Sequence, residues 1–143
     1  MIDSAPNNPA PEVLKEILAS DPTIAMVGLS PKPDRDSHRV AQYLLQQGYR
    51  VIPVHPKAEE ILGQKAYPSL AAIGQKIDLV DVFRKPEAVA PIAQAAVEVG
   101  AKVLWLQLGV RNDEAAAMAA AAGLTVVQDL CIKIEHHRLL GTP

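Results

Sequence analysis

Five short apolar runs, each followed by a stretch of helical character, constrain this chain more than any other feature. The runs are Ile24–Val27, Val51–Val54, Leu79–Phe83, Val103–Leu106 and Thr125–Val127. Helical patterns fill most of the spaces: Pro11–Ala19, Ser37–Gln47, Pro86–Val99, Asn112–Ala122 and Ile132–Leu140. Gly48, Gly100 and Gly123 stand where helix C-caps are needed. Strands that are apolar throughout, rather than alternating, are usually buried on both faces of a parallel sheet. The pattern predicts an α/β fold, a three-layer, doubly wound parallel sheet of the Rossmann-like kind. The expected strand order is 3-2-1-4-5.

Two segments resist this reading. Pro53 lies inside the second run and removes a ladder donor, so that strand is expected to end there. Residues 57–75 carry turn residues, an extended Tyr67–Pro68 and a short helix near Ser69–Ile73. The polar, proline-rich residues 1–10 read as a mobile lead-in, and residues 11–143 as a single domain.

Bulk properties narrow the function classes. With 143 residues, 49% of them hydrophobic, the chain can build a real core. A formal net charge of −2 and 3% aromatic content give no footing for nucleic acid or an anionic membrane surface. No apolar run approaches the roughly 18 residues of a membrane span, and no secretory signal opens the chain. The single cysteine, Cys131, excludes an intramolecular disulfide framework, so a cytoplasmic home is expected.

The stretch Thr23–Leu45 has the layout by which open α/β sheets hold phosphate: a strand, a break at Gly28, then a helix start at Asp36–Ser37. An ordinary strand–loop–helix connection would look similar, since a full G-x-G-x-x-G is absent. The residues just past the ends of the strands carry more weight. Lys32, Arg35 and Arg39 come after the first strand, Lys57 after the second, Arg84 and Lys85 after the third, Arg111 after the fourth and Lys133 after the fifth. These are eight of the fourteen Lys and Arg residues, in a chain that is acidic overall. Asp34, Asp36, Asp113, Glu114 and Asp129 share that edge, and loops collect charge in any protein. The pattern nonetheless suits a polyanionic ligand spanning several loops. NAD-type sites place a carboxylate after the second strand. Here the order is Val54-His55-Pro56-Lys57, and the cation suits a phosphorylated ribose, as in NADP or coenzyme A.

Five segments together separate those two. VGLSPKPDRDSHRVAQYL, GYRVIPVHPKAEEILGQKAYPSL, VDVFRKPE, LWLQLGVRNDEAA and CIKIEH, in this order, cover most of residues 23–138. In them the chain resembles the small stand-alone CoA-binding proteins, relatives of the CoA-binding domain of the succinyl-CoA synthetase alpha subunit. The resemblance implies coenzyme A or an acyl-CoA along the carboxyl edge of the sheet. By position it implies Gly28, Leu29 and Ser30 for the turn near the phosphates, with Ser37, His38 and Arg39 as the helix start below. Pro53, Val54 and Lys57 fall at the adenosine end, Lys57 being the candidate for the ribose phosphate. Phe83, Arg84 and Pro86 match the third-strand loop. Gln107, Leu108 and Gly109 match the fourth-strand loop, which runs along the CoA chain in the synthetase-like relatives.

The chain departs from the synthetase pattern in two ways. Pro31 and Pro33 stand where that turn has glycines, so this loop is stiffer. The synthetase subunit carries its phosphorylated histidine in a second domain, and neither His136 nor His137 can be assigned that role. The resemblance therefore implies binding without catalytic residues of its own. Two alternatives stay open, an NADP-binding oxidoreductase subunit and a protein-interaction module without ligand. A homodimer or an unidentified protein partner is also open.

Three further groups have structural readings. Asp81, a carboxylate inside an apolar strand, needs a donor partner. Trp105 reads as core. Cys131, His136 and His137 lack the spacing of a structural metal site, so no metal is expected. A buried inert cysteine is the default for Cys131, and a mixed disulfide with the CoA thiol is the sharper alternative.

Overall fold

The computed structural model describes residues 8–141. Its elements in chain order are α1 (Pro11–Ala19), β1 (Ile24–Val27), α2 (Asp36–Gln46), β2 (Val51–Val54), β3 (Glu60–Ile61), β4 (Gln64–Lys65), β5 (Leu79–Val82), α3 (Val89–Glu98), β6 (Val103–Leu106), α4 (Asp113–Ala121), β7 (Thr125–Val127) and α5 (Ile132–Leu140). One 3₁₀ turn, Pro86–Ala88, leads into α3. All five expected strands form one parallel sheet, in the order β2-β1-β5-β6-β7. Most of the expected lead-in, residues 1–10, lies outside the described residues. Asn8 is described. Its side-chain amide exchanges two hydrogen bonds with the backbone of Gln128, at 2.8 and 2.7 Å. Among the described residues no helix is long and apolar enough to cross a membrane.

The strand order corrects the expectation. Counting only the five strands of the main sheet, it is 2-1-3-4-5 and not 3-2-1-4-5. The third strand, β5, pairs with β1 on the side away from β2. Both orders satisfy right-handed crossovers; they differ in the face each connection covers. Here α1, α2 and α5 pack on one face, through Leu14, Leu18, Val40, Leu44 and Ile132. The other face carries α3, α4 and the β2–β5 connection, through Leu70, Ile73, Ile77, Ala93 and Ala119. The chain therefore changes direction between β1 and β5, and a crevice opens at such a switch point.

Pro53 lies inside β2 and does not end it, because β2 is an edge strand. Its neighbours Ile52 and Val54 are on the β1 side: Gly28 donates to the Val54 carbonyl at 3.2 Å. Pro53 turns its missing donor outward, and its carbonyl accepts from the Tyr67 amide at 3.0 Å. Tyr67 thus covers the open edge as an isolated parallel bridge to Val54. The short helix expected near Ser69–Ile73 is instead a pair of turns, in which Ala72 and Ile73 donate to Ser69 and Leu70. The hairpin of β3 and β4 lies in the same connection.

Gly28 ends β1 with φ of +89°, a conformation that disfavours any side chain. A Cβ there would stand 2.2 Å from the Phe83 carbonyl oxygen. The turns after β1 and β5 can therefore touch only through glycine. Gly28→Ala is expected to destabilise the fold by at least about 2 kcal/mol, from the strained φ and the displaced carbonyl together. Urea unfolding measures this. A loss below about 0.5 kcal/mol would contradict the contact.

Candidate functional site

The turn after β1 is held from within. Ser30 donates its amide to Ser37 Oγ at 3.0 Å, and its Oγ accepts from the Lys32 amide at 3.1 Å. His38 Nδ1 lies 2.9 Å from the Ser30 carbonyl. A carbonyl only accepts, so Nδ1 carries the proton. Ser37 and His38 are both buried in the first turn of α2, and they brace the loop from below. Leu29, read as a phosphate-turn residue, buries its side chain in the core, leaving only backbone for a ligand. No side chain caps the N-terminus of α2; the His38 amide donates to the Arg35 carbonyl at 3.1 Å, and the amides of Asp36 and Ser37 have no acceptor among the described residues.

Two clefts flank the contact of Gly28 with Phe83, one on each face of the sheet. The first, of about 370 Å³, is lined by Asp36, Arg39 and Val40 of α2, Phe83, Gln107, Leu108, Cys131, and Lys133 and Ile134 of α5. The second, of about 260 Å³, is lined by Gly28, Val54, Pro56, Leu70, Arg84 and Ile92. The structure thus brings Arg39, Phe83, Gln107 and Leu108 into one cleft, and Gly28, Val54 and Arg84 into the other. Ser30, Ser37, His38, Pro53, Lys57, Pro86 and Gly109 line neither. Lys57 is exposed one residue beyond Pro56, in a turn closed by His55, whose Nδ1 accepts from the amides of Lys57 and Ala58. Pro86 accepts from Asn112 through its carbonyl, and Gly109 donates to Asp129 at 2.7 Å.

Sequence reasoning missed His55, the wall of the second cleft at Pro68–Leu70 and Pro91–Ile92, and Ile134 in the first. The apolar members carry no chemical signal and read as core. Ile134 had one available clue, its place just after the fifth strand on the same edge.

Beneath the first cleft lies a buried polar layer. Gln107 donates to Asp81 Oδ1 at 2.5 Å and accepts from the Ile132 amide at 3.4 Å. Asp81 is fully buried, and its Oδ2 has no partner among the described residues. Burial pushes its carboxyl up to about 8, against a smaller lowering by Gln107, so it is mostly protonated at neutral pH. Trp105, buried as expected, donates Nε1 to the Leu130 carbonyl at 2.8 Å. His136 is also buried. Its Nδ1 meets the Tyr43 hydroxyl at 2.7 Å, and burial, then the nearby His137, lowers its pKa. Cys131 is half-buried at the N-cap of α5.

The cations along this edge differ in freedom. Arg39 pairs with Asp36 at 2.8 Å, and Arg111 with Asp113 at 3.1 Å. Among the described residues, Lys32, Arg35, Lys57, Arg84, Lys85 and Lys133 have no carboxylate within pairing distance. A third cavity, of about 400 Å³, opens at the opposite edge beside Lys76, Asp78 and Lys102. It lies away from the switch point, and there Lys76 faces Asp78 at 3.9 Å.

A family model described as a CoA binding domain matches residues 22–137. Protein YneT of Bacillus subtilis (strain 168) is 46% identical over 129 residues, covering 90% of this chain and 96% of its own. A solved structure of a hypothetical protein from Pyrococcus horikoshii OT3 superposes with a TM-score of 0.93 at 45% identity, over 99% of both chains. A dinucleotide-forming acetyl-coenzyme A synthetase from Ca. Korarchaeum cryptofilum shares the fold, with a TM-score of 0.65 at 23% identity. The likeness covers 73% of this chain and 25% of that one.

Asp81 gives the site a test that needs no ligand. Its carboxyl titrates near 3.8 when unfolded and about 8 in the fold. Between those values the fold holds a proton that the unfolded chain has released. Its contribution is therefore complete below about pH 4 and is lost as pH rises through about 8. Asp81→Asn keeps the acceptor for Gln107 and removes the titration. Relative to the parent, the variant's melting temperature is expected to climb steadily from about pH 4 to about pH 8. A difference independent of pH would mean that Asp81 ionises normally.

Proposed function

The chain belongs to the CoA-binding domain family, and from that premise we propose that it binds coenzyme A or an acyl-CoA across the switch point of its sheet. The adenosine end occupies the cleft beside Val54, Pro56 and Arg84, whose apolar walls suit a purine. The phosphates cross the turn of Gly28 and Ser30 at the open start of α2, where backbone amides and the helix dipole favour negative charge. The pantetheine arm enters the cleft of Phe83, Gln107 and Leu108. Lys57 takes the ribose 3′-phosphate, and Pro53 supports it through the strand beneath. Ser37 and His38 act through the turn they hold, Arg39 as a cationic wall, and Pro86 and Gly109 by shaping their loops.

One observation supports this reading most: the two clefts lie to either side of the Gly28–Phe83 contact, Phe83 lining one and Gly28 the other, and that contact admits no side chain. An extended ligand with an anionic middle and two less polar ends fits that layout. The roles named are all in binding, and the reading includes no reaction.

Titration calorimetry with CoA, dephospho-CoA and NADP tests it. CoA is expected to bind, dephospho-CoA more weakly and NADP weakest. A preference for NADP, or silence with all three ligands, would reject the reading. Lys57→Ala is expected to weaken CoA about ten-fold, the low end for a charge-assisted contact because Lys57 is exposed, and to leave dephospho-CoA nearly unchanged. Equal losses for the two ligands would remove Lys57 from the phosphate site.

A further inference from the structure

The mouth of the first cleft is unusually apolar for a surface. Leu108 is 65% exposed and Ile134 is 55% exposed, and both line that cleft. Beyond Ile134 the cleft continues into a second concavity of about 530 Å³, lined almost wholly by carbon, between Tyr43 of α2 and Ile134, His137 and Arg138 of α5. Ile134 and Lys133 belong to both spaces. The groove follows one turn of α5, about 5.4 Å of rise.

We propose that this groove receives the hydrocarbon chain of an acyl-CoA, so that the ligand is an apolar acyl thioester and not free CoA alone. The inference rests on the CoA reading above, which puts the thiol end of the ligand in the first cleft. An acyl group leaving that end has the groove directly ahead of it. The chemistry along the path changes in the matching order. Lys133 stands at the junction with its ammonium 5.6 Å from the Tyr43 ring centre and no carboxylate partner among the described residues, a donor suited to the thioester carbonyl. Past it the walls are carbon, and the guanidinium of Arg138 is taken by Glu135 at 2.5 Å. With Lys133 on the thioester carbonyl and Arg138 on Glu135, a charged acyl terminus would be desolvated against largely apolar walls, whereas methylenes would be shielded from water.

Calorimetry with acetyl-, hexanoyl- and succinyl-CoA, alongside CoA itself, decides it. A fully buried methylene strengthens binding about four-fold, and a half-open groove should retain about half of that free energy, or two-fold each. Hexanoyl-CoA is therefore expected to bind at least about ten-fold tighter than acetyl-CoA, and succinyl-CoA no tighter than acetyl-CoA. Ile134→Asp should bring the hexanoyl-to-acetyl ratio close to one, whatever it does to CoA. Failure of CoA to bind would sink the parent reading. Binding of CoA with equal affinity for acetyl and hexanoyl forms would overturn the groove alone. So would light scattering that shows a dimer split by Ile134→Asp, together with a flat chain-length series, since the face would then be a subunit contact.

Discussion

The close approach of two backbone turns organises this molecule. Gly28 brings the end of β1 against the carbonyl of Phe83 at the end of β5, at a distance that leaves no room for a Cβ. β1 and β5 are neighbours only because the chain reverses direction after β2 and returns on the far side of β1. That reversal sends α2 to one face and α3 to the other, so the helices cannot close over the strand ends between them. The crevice is a product of topology, and the glycine lets the two turns beside it pack against each other.

The polar layer below the first cleft ties that crevice to α5. Gln107 bridges a protonated Asp81 and the first amide of the helix, so one side chain orients strand, helix and cleft wall together. A neutral acid is the less costly form here, because a buried carboxylate with a free Oδ2 would lack compensation. The Tyr43–His136 pair joins α5 to α2 farther along the same face. The first cleft is thus set between two helices, α5 tied to the sheet through Gln107 and to α2 through the part-buried Tyr43–His136 hydrogen bond.

The strands and most helices were legible in the sequence, because continuous apolar runs and glycine C-caps are local signals. Tyr49 donates to Leu44, and Gly48 to Leu45, where the glycine alone marked a helix end. Strand order was not legible, since residues 57–78 gave no strong periodicity to show which face they cover. Leu70, Ile73 and Ile77 make that choice only by packing with α3. Pro53 misled for a related reason: whether a proline ends a strand depends on whether the strand lies at an edge, which is a tertiary fact. The candidate site divided the same way. Cations and loop positions could be read from the chain, but the clefts' apolar walls at Leu70, Ile92 and Ile134 could not.

A residue-by-residue map of amide chemical shifts during titration with CoA tests the central claim most directly, because every loop of both sheet edges reports separately. The perturbed amides are expected to gather at the carboxyl edge, around Gly28, Ser30, Phe83, Leu108 and Lys133, on both sides of the switch point. Perturbations concentrated instead at Thr23, Asp78, Lys102 and Thr125, on the opposite edge, would contradict it.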